Sequence, residues 1–102
     1  MEAVDHVVLG AGAVGMAVAE ALARRGEPVR VVNRSGLREP IAGVQSVAGD
    51  VTDPAFAASA TRGARVIYQA LQAQEAVAHR VWVLILAGLV REDQSIVGRA
   101  VE

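Results

Sequence analysis

The residues with the clearest chemical spacing stand near the start of the chain. Gly10-Ala11-Gly12-Ala13-Val14-Gly15 fits G-x-G-x-x-G. The pattern follows an apolar run and opens an amphipathic stretch, the context that gives it meaning. Each glycine has a task there. Gly10 allows a tight turn. Gly12 lets a diphosphate approach the backbone, with Ala13 and Val14 supplying helix N–H groups. Gly15 lets the helix and strand pack closely. The alternative is a glycine-rich turn with a purely structural role.

A second group lies about twenty residues on. Asn33-Arg34-Ser35 ends the next apolar run, and Arg38 is within loop reach. A site for unphosphorylated ribose usually has a carboxylate here, to accept from the 2′-hydroxyl. This chain has none at that position. Arg34 can pair with a 2′-phosphate through its planar fork of donors, and Ser35 can donate another hydrogen bond. The expectation is NADP(H) in preference to NAD(H). The alternative is that Arg34 is a solvated loop charge.

These residues need a scaffold that brings strand ends together. Residues 5 to 9 read as a buried strand. Ala13 to Arg25 reads as a helix whose apolar face is Val14, Ala17, Val18, Ala21 and Leu22. Gly26 suits a left-handed cap. Val29 to Asn33 and Val44 to Ala48 read as strands, joined by the loop 34–43. Asp53-Pro54 is an N-cap followed by proline at the first helical position, opening a helix that stops at Gly63. Arg65 to Ala70 is a fourth strand. The alternation predicts an α/β fold, a truncated Rossmann-type parallel sheet of order 3-2-1-4 with helices on both faces. Residues 1–71 form the dinucleotide-binding half.

The segment 72–102 is expected to be helical and to belong to the same domain. Read as a strand instead, Val81 to Ala87 would leave only about ten residues for a crossover that needs roughly 10–12. Asp93 would cap a last short helix carrying Ile96, Val97, Ala100 and Val101. With no strand beyond the fourth, that strand's outer edge and the run VWVLILAGLV call for cover. The expectation is a homodimer formed through this segment.

Composition narrows the functions. All ten basic residues are arginine and the net charge is −1. A Lys-dependent mechanism is therefore excluded within these residues, and no basic field points to nucleic acid or a membrane surface. The chain has no cysteine and only two histidines, so no metal site is expected. The longest apolar run, Val81 to Val90, is ten residues, whereas a membrane helix needs about twenty. With no secretion signal read at the start, a cytoplasmic protein is expected.

From residue 4 to about residue 72 the chain resembles the extended and atypical short-chain dehydrogenases/reductases, including the epimerase-like and NmrA-like groups. The matching residues are GAGAVG (10–15), VVNRSG (31–36), AGDVTDP (48–54) and GARVIYQAL (63–71). The resemblance implies that Asp50 meets the adenine amino group and Val51 its face, and that Gln69, Ala70 and Leu71 run beside the cofactor. Asp50 as a turn residue, and Val51 and Leu71 as core, are the alternatives. The family's catalytic Tyr-x-x-x-Lys helix has no counterpart: Tyr68 is followed four positions later by Gln72. Tyr68 and His79 are the weak catalytic candidates, each with packing or surface roles as the alternative.

The chain is also similar to the nucleotide-binding regulatory domains of potassium-transport systems in its Gly-Asp-x-Thr-Asp-Pro turn, although Asn33-Arg34 stands where those carry an acid. Three functions follow as expectations. The first is a minimal NADP(H)-binding protein derived from a reductase, with little or no classical dehydrogenase activity. The second is an NADP-dependent oxidoreductase with a site at a dimer interface. The third is a redox-sensing regulatory domain.

Overall fold

The computed structural model describes residues 2–70 and 97–100. Their order is β1 (His6–Leu9), α1 (Ala13–Arg24), β2 (Val29–Asn33), β3 (Val44–Ala48), α2 (Pro54–Thr61), β4 (Val66–Gln69) and β5 (Val97–Ala100). The strands form one sheet of order β3-β2-β1-β4-β5, with every pair parallel. The first four strands have the order expected from the sequence. The connection from β2 to β3 contains no helix, yet it places those strands parallel.

Strand alternation splits the core into two layers. Val7, Leu9, Val32 and Ile67 pack with Ala57 and Ala60 of α2. Val8, Val29 and Val31 pack on the other face with Ala19 and Leu22 of α1. The two helices therefore cover opposite faces of the sheet.

Both helices start and stop where their end residues direct. Asp53 caps α2 by accepting from the Ala55 N–H at 3.1 Å, with Pro54 at the first helical position. After α1, Gly26 takes a φ of 75°, and the Glu27 N–H donates to the Leu22 carbonyl. The rotation of α1 differs from the periodicity reading. Its buried residues are Gly15, Ala19 and Leu22, while Ala17 and Ala21 are exposed. Of the expected face, only Leu22 is buried. The physical reason is Gly15: a Cβ there would lie 2.3 Å from the Gly10 carbonyl oxygen. The residue nearest the sheet must therefore be the one without a side chain, and the row through 15, 19 and 22 follows it inward.

The second correction is at the other end of the chain. Val97–Ala100 form a strand paired with β4, not part of a helix after Asp93. The outer edge of β4 is thus covered within the chain. Looking for a fifth strand at Val81–Ala87 left too little crossover. A strand at Val97 leaves residues 70 to 96, well beyond the roughly 10–12 that a helix-bearing crossover needs. Gly98 also weakens a helix there, by about 1 kcal/mol relative to alanine. The expected helix over 72–92 and the dimer-forming role of that segment lie outside the described residues, as do Leu71 and His79.

One buried charge holds several pieces together. Arg30 of β2 is 1% exposed and points to the α2 layer. Its Nε donates to Gln45 Oε1 of β3 at 2.5 Å, its Nη1 to the Ala60 carbonyl of α2 at 2.6 Å, and its Nη2 to the Glu2 carbonyl. Burial holds the guanidinium below its ordinary pKa. Arg30→Ala would leave those acceptors unpaired, and we expect a loss of about 3 kcal/mol. Urea unfolding checks this; a loss under about 0.5 kcal/mol, the range of a surface change, would refute it.

Candidate functional site

The register sets where the strand ends meet. Leu9 lies opposite Val32 on one side and Gln69 on the other, and Asn33 lies opposite Ala48. The turns that follow β1, β2 and β3, and the end of β4, therefore share one edge of the sheet. Backbone bonds extend the ladder there: Gly10 N–H to Val32 O, Gly49 N–H to Asn33 O and Ala70 N–H to Leu9 O. The chain order reverses at β1, between β2 and β4, the place where open α/β sheets bind ligands.

The glycine loop stands at this reversal. Gly10 has a φ of 110°, in the region that favours glycine. Gly12 is the N-cap of α1, with no side-chain cap and no acidic residue in the first turn. The first backbone bond of the helix runs from Met16 N–H to Gly12 O. The N–H groups of Ala13, Val14 and Gly15 precede it and have no intrahelical partner. They carry the positive end of the helix dipole and can hydrogen-bond an anion. Gly15 also brings Ala70 close, since its Cβ would be 3.4 Å from the Ala70 methyl. Gln69 and Ala70 are buried at the end of β4 beside the loop.

The end of β2 forms the next wall. Asn33 donates from Nδ2 to the Gly36 carbonyl at 3.2 Å. Its Oδ1 is buried without a hydrogen-bond partner. A buried acceptor left unpaired costs about 1–3 kcal/mol, so a ligand donor placed here would recover stability. Arg34, Ser35 and Arg38 are exposed on the loop that follows. Ser35 and Arg38 line a cleft of about 550 Å³ together with Ala11, Met16, Asn33 and Leu37. Glu20 and Glu39 line it as well. Sequence reading missed both carboxylates: Glu20 reads as the polar side of a helix and Glu39 as loop charge.

The turn after β3 is built around Asp50. Its Oδ1 accepts from the Thr52 hydroxyl at 2.6 Å and from the Thr52 N–H at 2.9 Å. The Thr52 hydroxyl, then its N–H, hold the carboxyl below the ordinary aspartate range, and Arg34 adds to this from the neighbouring turn. Asp50 is thus an exposed turn residue in this structure. Val51 is 7% exposed and belongs to the α2 core layer. Arg34, Asp50 and the glycine loop therefore occupy the same edge of the sheet.

Tyr68 does not join them. Its hydroxyl lies 3.2 Å from His6 Nδ1, and the two rings stack with centroids 5.9 Å apart. His6 opens β1, the strand end opposite the glycine loop, and its Nε2 lies 3.5 Å from Glu27 Oε2. Among the described residues no group of three or more His, Cys, Asp or Glu could hold a metal ion. Among the same residues no helix is long and apolar enough to cross a membrane.

The fold has counterparts among solved structures. A wide-type short-chain dehydrogenase/reductase from Veillonella parvula, in complex with NADP, is 17% identical with a TM-score of 0.69; the match covers 91% of this chain and 45% of that one. The NAD(P)-binding domain of an exopolyphosphatase-related protein from Archaeoglobus fulgidus is 19% identical with a TM-score of 0.70, over 95% of this chain and 71% of that one. The Shewanella denitrificans Kef CTD, in its AMP-bound form, is 21% identical with a TM-score of 0.68, over 95% and 58%. No family model and no curated protein sequence matches. These likenesses establish a Rossmann-type fold. The chain spans a little under half the length of the short-chain dehydrogenase/reductase structures it matches.

The Asp50 geometry has a direct test. A depressed carboxyl stabilises the turn above the ordinary aspartate range and loses that contribution as pH falls through its own, lower pKa. In a carboxyl-detected NMR titration, Asp50 is expected to titrate below an ordinary aspartate, and to move back toward it in Thr52→Val. An ordinary value in the unmodified chain would contradict the geometry.

Proposed function

We propose that this chain is an NADP(H)-binding Rossmann module with little or no classical dehydrogenase activity. The observation that carries the reading is the convergence of three features on one sheet edge. They are the uncapped glycine-loop helix, the unpaired acceptor of Asn33, and the arginines of the loop after β2, Arg38 in the cleft and Arg34 near Asp50. The NADP in the Veillonella relative supports a nucleotide of this class.

In this reading the N–H groups of Ala13, Val14 and Gly15 hold the diphosphate. Asn33 Oδ1 accepts from a ribose hydroxyl of the adenosine. Arg34, Ser35 and Arg38 hold the 2′-phosphate, against the opposing charge of Glu20 and Glu39. Asp50 flanks the adenine, with the core residue Val51 next to it in the same turn, and Gln69, Ala70 and Leu71 follow the cofactor toward its nicotinamide. The bound cofactor would supply a hydride to accept or donate; the chain would supply orientation. Proton transfer by a Tyr-Lys pair is closed to these residues, because the chain contains no lysine. Association of two chains through the segment 72–102, in the cytoplasm, belongs to the same proposal.

The AMP in the Kef relative favours a second reading, a regulatory domain that senses an adenine nucleotide at the same edge. The oxidoreductase reading is weaker, since the Tyr68 hydroxyl is turned to His6.

Fluorescence titration tests the first reading. NADPH is expected to bind more tightly than NADH, and Arg34→Ala to weaken NADPH about tenfold or more while leaving NADH nearly unchanged. Equal affinity for both nucleotides would remove the role given to Arg34, and binding of AMP alone would favour the regulatory reading. Turnover is tested separately. With carbonyl, quinone and imine substrates, the 340 nm absorbance of NADPH is expected to stay at the enzyme-free rate; rapid oxidation would overturn the claim of low activity.

A further inference from the structure

We propose that Ser46, which lines no part of the cleft, is a positioning residue that sets the preference for the 2′-phosphate. The inference rests on the nucleotide reading above.

The argument starts from the connection 34–43. It links two parallel strands without a helix, so no helical hydrogen-bond ladder holds it in place. Two side chains do part of that work. Asn33 Nδ2 donates to the Gly36 carbonyl at 3.2 Å, closing the turn over Arg34 and Ser35. Ser46 Oγ, from β3, accepts the Leu37 N–H at 2.9 Å. Between these anchors Gly36 takes a φ of 79°, a conformation that favours glycine. Its Cα faces the same hydroxyl, since a Cβ there would lie 3.6 Å from Ser46 Oγ. The chain is thus tied to β3 immediately after the residues it presents. Arg34 and Ser35 stand just before the tie, and Arg38 follows it.

Asn33 keeps its place by being in a strand, opposite Ala48. Arg34, Ser35 and Arg38 have no such support. Their exposed side chains contribute to a phosphate site only when the backbone beneath them is ordered, and the cost of ordering them is charged against binding. Ser46 removes part of that cost before any ligand arrives. The glycine loop, which holds the diphosphate common to both nucleotides, is anchored elsewhere, by Gly10 N–H to Val32 O and by the Gly15 contact. Losing the Ser46 hydroxyl should therefore weaken one nucleotide and spare the other. A merely structural role would weaken both.

The test compares Kd values for NADPH and NADH in the unmodified chain, Ser46→Ala and Ser46→Thr. Removing one hydrogen bond is expected to weaken NADPH about fivefold in Ser46→Ala, with NADH changed less than about twofold. Ser46→Thr keeps the hydroxyl and suits a strand, so it should restore the ratio. If the unmodified chain prefers NADPH and Ser46→Ala keeps that preference, or if threonine does not restore it, the assignment of Ser46 is overturned while the nucleotide reading stands. If the unmodified chain binds neither nucleotide, or both equally, the parent reading falls and the role of Ser46 with it.

Discussion

The glycine-loop side of the candidate edge depends on one backbone contact, the approach of α1 to the turn that follows β1. Gly15 comes so close to the Gly10 carbonyl that no side chain fits between them. That approach sets the rotation of the helix and aims its first N–H groups over the sheet edge. It also places Ala70, at the end of β4, against the same turn. A larger residue at position 15 would push the helix outward and disturb all three at once.

The sheet supplies the second constraint. Parallel pairing in register puts the ends of β1, β2, β3 and β4 on one side, so residues as distant in sequence as Gly10, Asn33, Asp50 and Ala70 become neighbours. Arg30 reinforces this arrangement from below. It joins β2 to β3, to the last turn of α2 and to the N-terminal segment through one buried and two part-buried hydrogen bonds. The edge is thus held by strand pairing where strands end and by side chains along the connection 34–43. The proposed selectivity of the site lies in that connection.

Charge at this edge is mixed rather than uniformly positive. Arg38 shares its cleft with Glu20 and Glu39, and Arg34 stands near Asp50. Asp50 is held by Thr52 in its own turn. A ligand phosphate here would meet arginines whose field is partly offset, so geometry would matter more than net charge. At the opposite end of the sheet, Tyr68, His6 and Glu27 form a separate cluster that shares no residue with the cleft.

Local chemistry was legible in the sequence wherever a single residue type decides it. Glycines at 10, 15 and 26, the Asp53-Pro54 helix start and the apolar runs of the first four strands read correctly, because φ preference, capping and burial act over a few residues. The glycine loop and Asn33 at the sheet edge were legible for the same reason. Tertiary structure decided the rest. It turned α1 toward Gly15, because a steric contact with another element outweighs apolar periodicity. It made Val97–Ala100 a strand, because the free edge of β4 offers hydrogen bonds that no local pattern announces. It turned Tyr68 to His6, and it joined Leu37 to Ser46, a contact between the connection 34–43 and β3 that leaves no mark in either stretch of sequence.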